Sequence, residues 1–212
     1  MPAQVSDSFV LRTYPYREAD LIVSFFTREQ GKLRGIARRA KRPKSTFGSG
    51  LERLSHVRMA FFLRENSELA NLSGCELIDS QFGLQSDYGC SLALDYFTEV
   101  TDHLMPPHEP NEKFFRLLNS TLETMRSGGG MWPAVDYFTL WAVRLTGVLP
   151  ELRVSNPETV EIVEEMFVRK LADLTPREWT KSTLQGLRRS LIRAMEQHVE
   201  RRFLTVPLLE AL

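Results

Sequence analysis

Cysteine is almost missing from this 212-residue chain, which has only Cys75 and Cys90. Two thiols outside any C-x-x-C pair form no disulfide framework and cannot supply the four clustered ligands of structural zinc. The histidines (His56, His103, His108, His198) are scattered, without ligand spacing. No metal and no cofactor is therefore expected. A G-x-x-x-x-G-K-[ST] phosphate loop is absent, as is a G-x-S-x-G elbow. Gly48-Ser49-Gly50 and Gly128-Gly129-Gly130 lead into no nucleotide fingerprint, and the first reads as a mobile hairpin tip. Carboxylates are plentiful, but Glu158, Glu161, Glu164 and Glu165 read better as a solvated acidic face than as acid/base machinery. Nothing here argues for an enzyme. No apolar run approaches the roughly 20 residues of a membrane span. The opening MPAQVSDSF has neither a basic n-region nor an apolar h-region, so no secretory leader and a cytoplasmic location are expected.

What the chain does have is charge sorted into blocks. Its 27 basic and 27 acidic residues cancel, but unevenly. Residues 1–80 carry 13 basic and 9 acidic side chains, residues 81–165 carry 5 and 13, and residues 166–212 carry 9 and 5. Neutrality is thus a cancellation of +4, −8 and +4, a pattern that marks separate binding surfaces. The sharpest concentration is Arg28, Lys32, Arg34, Arg38, Arg39, Lys41, Arg42 and Lys44, with Glu29 the one acid among them. Self-repulsion of this kind needs an anionic partner to offset it, and a nucleic-acid backbone is the obvious one. A solvated basic loop is the plainer reading.

Periodicity divides the chain in two. Phe9-Val10-Leu11, Leu21 to Phe26, Leu33 to Ala37, Val57 to Leu63 and Leu69 to Leu72 are short β-prone runs, broken by Tyr14-Pro15, by Gln30-Gly31 and by a Gly/Ser/Pro-rich loop from Pro43 to Gly50. Five strands with a long loop between the third and fourth fit an oligonucleotide-binding (OB) barrel over residues 1–80. Beyond residue 80 the period becomes helical. Leu92, Leu94, Tyr96, Phe97, Val100 and Leu104 form one stripe, and a second helix capped by Asn111 ends at Gly128. A third helix spans 132–148, Asn156-Pro157-Glu158 starts a fourth, and Thr175-Pro176-Arg177-Glu178 fits a capping box ahead of a long helix over 183–203. A β barrel followed by an all-α bundle over 81–212 is the expected fold.

The string Val10-Leu11-Arg12-Thr13-Tyr14-Pro15-Tyr16-Arg17-Glu18-Ala19-Asp20-Leu21-Ile22-Val23 resembles the opening of the bacterial RecO family of DNA-repair proteins. The resemblance continues through Phe26 to Leu33, Gly35 to Arg42, Lys44 to Gly48 and Leu51 to Leu54. Weaker echoes cover Pro110-Asn111, Phe115 to Leu118 and Phe138 to Gly147 with Pro150, so the match is specific over about residues 8–55. It departs where many family members carry a four-cysteine zinc module. Here Pro150 to Asn156 leads straight into a helix and no cysteine follows Cys90.

The resemblance implies a DNA-repair and recombination mediator associated with the nucleoid. Such proteins bind single- and double-stranded DNA and anneal complementary strands without ATP. With RecR they help load RecA onto strands coated by single-strand-binding protein (SSB). On that reading Lys32, Arg34, Arg38, Arg39, Lys41, Arg42 and Lys44 are phosphate contacts. Phe47 is either a base-stacking residue or a core plug under its loop, and Tyr14 and Tyr16 stack on bases or pack the barrel. Arg188, Arg189 and Arg193 on the last long helix would form a second surface, for the acidic SSB C-terminal tail or a second DNA contact. The competing reading is an RNA-binding or protein-interaction adaptor built on the same barrel.

Overall fold

The structure, a computed structural model, describes residues 3–63, 67–152 and 156–212. Two compact units divide it: Met1–Gly83 with Thr101–Phe115, and Leu84–Val100 with Arg116–Leu212. In the first, strands β1 (Gln4–Tyr16), β2 (Asp20–Thr27), β3 (Gly31–Ala37), β4 (His56–Phe62) and β5 (Ala70–Asp79) close a barrel in the order β1-β2-β3-β5-β4. The expected OB-type barrel followed by helices is what the chain forms. All neighbours are antiparallel except β3 and β5, which close the barrel in parallel through Gly35–Ala70 to Ala37–Leu72. Alternation drives this arrangement. Val23, Phe25, Leu33, Val57, Met59 and Phe61 turn inward to an apolar core, leaving the intervening residues on the outer side of the barrel. A Cβ on Gly35 would stand 2.6 Å from the Leu72 side chain, so the parallel seam needs glycine there.

Two sequence expectations fail in this unit. Tyr14-Pro15 does not break β1, because Pro15 pairs with Leu21 where β1 has only β2 beside it; β4 reaches no further than Phe9. A missing N–H costs little on such an edge. Gly48-Ser49-Gly50 is not the tip of a hairpin either, because β3 and β4 are not neighbours in the barrel. Gly50 lies against Cys75, whose Sγ donates to the Phe47 carbonyl at 3.4 Å, and Phe47 fills the barrel core.

His56 sits buried between Phe9, stacked at 4.7 Å, and Phe115, with Nδ1 3.7 Å from Asp79 Oδ2. Burial lowers its pKa, against the pull of Asp7 and Asp79. A histidine depressed in the fold stabilises it above the unfolded pKa of about 6.5, and that stability is lost as pH falls through the lower folded value. The melting temperature should therefore drop on acidification below pH 6.5. His56→Phe should flatten that part of the profile in thermal melts between pH 7.5 and 5.

The helices are α1 (Tyr88–Leu104), α2 (Glu112–Arg126), α3 (Met131–Leu145), α4 (Pro157–Val168), α5 (Gln185–His198) and α6 (Val206–Ala211). The first unit takes the end of α1 and the start of α2. Asn111 Oδ1 accepts from the Phe114 N–H at 3.0 Å, and Phe114 and Phe115 pack on Phe26. In the second unit Tyr96, Phe97 and Phe138 form the aromatic core, and Asn156 caps α4 through the Glu158 N–H at 2.9 Å. The run into α4 through residues 153–155 lies outside the described residues.

The proposed capping box at Thr175 starts no helix. Its N–H and hydroxyl go to Glu165 Oε1, each at 2.6 Å, rather than to Glu178. The long helix expected over 183–203 is shorter at both ends, because Glu200 turns left-handed and Glu196 Oε1 accepts the Phe203 N–H. The chain then turns toward α6, and the Leu204 and Thr205 N–H groups just ahead of it donate to the buried Glu99 carboxylate at 2.8 and 2.9 Å. A carboxylate there satisfies N–H groups that the helix itself leaves open.

Candidate nucleic-acid interface

Strand register assembles a surface that sequence spacing only hints at. Arg12 pairs with Ser24 and Ser24 with Arg34; Tyr14 pairs with Ile22 and Ile22 with Ile36. Paired residues share a face, and Val23, Phe25 and Leu33 already take the inside. Arg12, Tyr14, Ile22, Arg34 and Ile36 therefore share the outer face of β1, β2 and β3. Tyr14 is exposed there with the Arg34 guanidinium 5.8 Å from its ring centre, and Arg17 lies 5.2 Å from the half-buried Tyr16.

Beyond β3 the chain turns through Arg38, Arg39, Lys41, Arg42 and Lys44, all exposed. Their backbone is pinned: the Arg39 N–H donates to Asp20 Oδ1 at 2.8 Å, Lys41 N–H to the Ala19 carbonyl, and Arg42 N–H to the Arg39 carbonyl. Arg17, Arg39 and Lys44 hold positive φ angles of 53°, 55° and 62°. Long side chains seldom adopt that conformation, and such strain gathers at functional surfaces. Among the described residues no carboxylate pairs with the side chains of Arg34, Arg38, Arg39, Lys41, Arg42 or Lys44. Guanidinium forks suit phosphate oxygens, and tyrosine rings offer base-stacking area regardless of sequence. The outer face of the second and third strands is also where OB barrels take oligonucleotides.

Two predicted contacts change status. Phe47 is buried in the barrel, so it is the plug and not a stacking residue. Lys32 is not a free cation, because its Nζ donates to the Asp102 backbone carbonyl and lies 3.5 Å from the same residue's carboxylate. Sequence reasoning had not singled out Arg12 or Arg17. Extending the β1 alternation past Pro15 would have put Arg12, Tyr14 and Tyr16 on one face.

The second predicted surface also rearranges. Arg188 is 2% exposed: Nη1 bonds Asp136 Oδ1 at 2.6 Å, Nη2 bonds the Lys181 carbonyl at 2.5 Å, and its guanidinium lies 4.6 Å from the Trp132 ring centre. It turned inward because position 188 lies at the centre of the apolar stripe of α5, not beside it. Leu184, Leu191, Ile192 and Met195 are all buried, and position 188 falls among them. Arg188 is therefore no part of any docking surface. Arg189 is exposed but engaged by Glu210, with Nε 2.8 Å from Oε2. Arg193 remains available and lines a shallow groove with Arg201 and Arg202, among Glu196, Gln197 and Glu200. Among the described residues no three His, Cys, Asp or Glu side chains gather as metal ligands, and no helix is long and apolar enough to cross a membrane.

Comparison with known proteins adds an independent line. Residues 1–81 match the family model described as Recombination protein O N terminal, and residues 85–155 the one described as Recombination protein O C terminal. The DNA repair protein RecO of Koribacter versatilis (strain Ellin345) is 37% identical over 240 residues, covering 98% of each chain. That alignment is longer than this chain, so the relative carries residues with no counterpart here. The DNA repair protein RecO of Syntrophus aciditrophicus (strain SB) is 31% identical over 147 residues, spanning 69% of this chain and 57% of that one. The corresponding protein of Geobacter metallireducens is 34% identical over 128 residues, spanning 60% of this chain and 52% of the relative.

Proposed function

The chain belongs to the RecO family of DNA repair and recombination proteins, and within that role we propose that its barrel binds single- and double-stranded DNA. It anneals complementary strands without ATP and, with RecR, helps load RecA onto SSB-coated single strands. One observation supports this reading above the others: Tyr14 and Tyr16 stand beside Arg34 and Arg17 at one side of the barrel, followed in sequence by the exposed cations from Arg38 to Lys44. Two strands repel until cations replace their condensed counterions, and released counterions supply the driving force. Rings that stack on unpaired bases keep a strand open for its complement. No bond is made or broken, so no catalytic group is required.

The SSB tail belongs to the second unit in this proposal. An acidic peptide ending in an apolar residue needs cations and an apolar ledge. Arg193, Arg201 and Arg202 offer the first; Leu204, exposed at 73% two residues after Arg202, and Leu208 offer the second.

The test uses two complementary fluorescently labelled strands, full-length protein and no nucleotide. Annealing should accelerate well above the spontaneous rate at low salt and lose that acceleration as salt rises. Unlabelled single-stranded DNA should compete better than RNA of equal length. No acceleration at any salt would contradict the proposal, and preferential competition by RNA would favour the adaptor reading.

A further inference from the structure

One carboxylate stands against the basic face of the barrel. Asp102, in the last turn of α1 and within the same compact unit, receives three groups from three adjacent strands. Arg12 Nε of β1 lies 3.2 Å from its Oδ2, Ser24 Oγ of β2 donates to Oδ1 at 3.4 Å, and Lys32 Nζ of β3 lies 3.5 Å from Oδ1. Arginine, serine and lysine converging from one sheet face are the donors that hold a phosphate oxygen, and one carboxylate serves them loosely. Arg12 Nε is buried without a well-aligned hydrogen-bond partner, and both contacts to Oδ1 are at the long end of their range. The place is reachable from solvent: the Arg12 side chain is 39% exposed and that of Asp102 17%. It also lies in line with the proposed DNA face, because Ser24 pairs with Arg34 in register and Arg34 carries the Tyr14 contact.

We propose that Arg12, Ser24 and Lys32 form a phosphodiester cradle, and that Asp102 fills it in the free protein as an internal competitor that an entering strand displaces. The inference rests on the DNA-binding reading above. A phosphodiester brings two non-bridging oxygens where Asp102 must divide its carboxylate among three donors. The Lys32 bond to the Asp102 backbone carbonyl keeps that lysine at the rim when the carboxylate swings away. The competitor weakens binding and makes release easier, which suits a protein that must hand its strand on.

Asp102→Asn keeps the shape and removes the charge. Full-length Asp102→Asn should bind single-stranded DNA about three- to ten-fold more tightly, with a salt slope steeper by roughly 0.7 for each further phosphate that the freed cations neutralise. Asp102→Glu, which keeps the charge, should bind like the parent. In the parent, Arg12→Gln should weaken binding modestly, because the lost phosphate contact is partly offset by an Asp102 carboxylate that no longer has to be pulled from that arginine; in the Asp102→Asn background the same change should weaken binding more, cancelling most of the increase. Such a coupling belongs to the pair alone. Inorganic polyphosphate serves as a second probe, free of bases. Tighter polyphosphate binding by Asp102→Asn, with no DNA binding by the parent, would keep the cradle and sink the DNA reading. Unchanged or weaker binding of both probes by folded Asp102→Asn, checked by its circular dichroism, would show that the four residues are only a structural network.

Discussion

Arg188→Ala should destabilise the helical unit by about 3–5 kcal/mol, the usual cost of removing one partner from a buried ion pair. The loss has three parts. Asp136, 3% exposed, is left with no cation beside it, and its Oδ2 already lacks a hydrogen-bond partner. The Lys181 carbonyl loses its donor, and the Trp132 ring loses the guanidinium over its face. Burial already pushes the Asp136 carboxyl up to about 6, against the pull of Arg188, so without the arginine it should rise further. A carboxyl raised in the fold adds stability that is fully present below its unfolded pKa of about 4 and is lost as pH rises through the folded value. The variant should thus be most deficient at pH 8 and least at pH 5. Arg188→Met with Asp136→Leu should recover much of the loss, because apolar replacement of a whole buried pair is often neutral. Arg189→Ala, removing an exposed partner of Glu210, should leave the melting temperature nearly unchanged. Chemical denaturation of the three variants at two pH values measures all of this. A mild Arg188→Ala phenotype would mean that the pair is not buried in solution.

Charge reversal of Arg38, Arg39 and Lys41 together should weaken single-strand binding roughly 100-fold at low salt, about 1 kcal/mol per exposed cation. It should lower the salt slope by roughly 2, at about 0.7 for each phosphate no longer neutralised on a single strand. All three side chains are exposed on a turn fixed by its own backbone hydrogen bonds, so the fold should survive. Annealing should slow in proportion. Tyr14→Ala is the contrasting variant: affinity should fall with the salt slope unchanged, because stacking releases no counterions. Fluorescence titration at several salt concentrations separates the two behaviours. Wild-type affinity in the triple variant would reduce the basic turn to a solvated loop.

How far the sequence went depends on the length scale of each pattern. The barrel was readable because a two-residue alternation in β2, β3 and β4 directly names the inward set. The helical half was readable from its stripes, and Asn111 and Asn156 cap as their positions promised. The misses are places where one residue's partner lies far away in the chain. Thr175 chose Glu165 over the nearby Glu178, Glu99 collected the N–H groups of residues 105 and 106 positions later, and Arg188 found Asp136. At 100° per residue Arg188 falls in the middle of the stripe made by Leu184, Leu191, Ile192 and Met195, whereas Arg189 lies a further 100° round and stays out. Phe47 failed as a stacking residue for a similar reason: a loop rich in glycine and serine closes over the barrel mouth because Cys75 and Gly50 meet beneath it.

The most direct measurement is a titration of labelled single-stranded DNA with the full chain between about 50 and 200 mM salt, read as log K against log salt. Arg34, Arg38, Arg39, Lys41, Arg42 and Lys44 are exposed cations without acidic partners among the described residues. At about 0.7 for each phosphate neutralised, they predict a slope near −4 if every one of them reaches the backbone. A slope near zero, or no binding at the lowest salt, would contradict the assignment of this barrel face to nucleic acid.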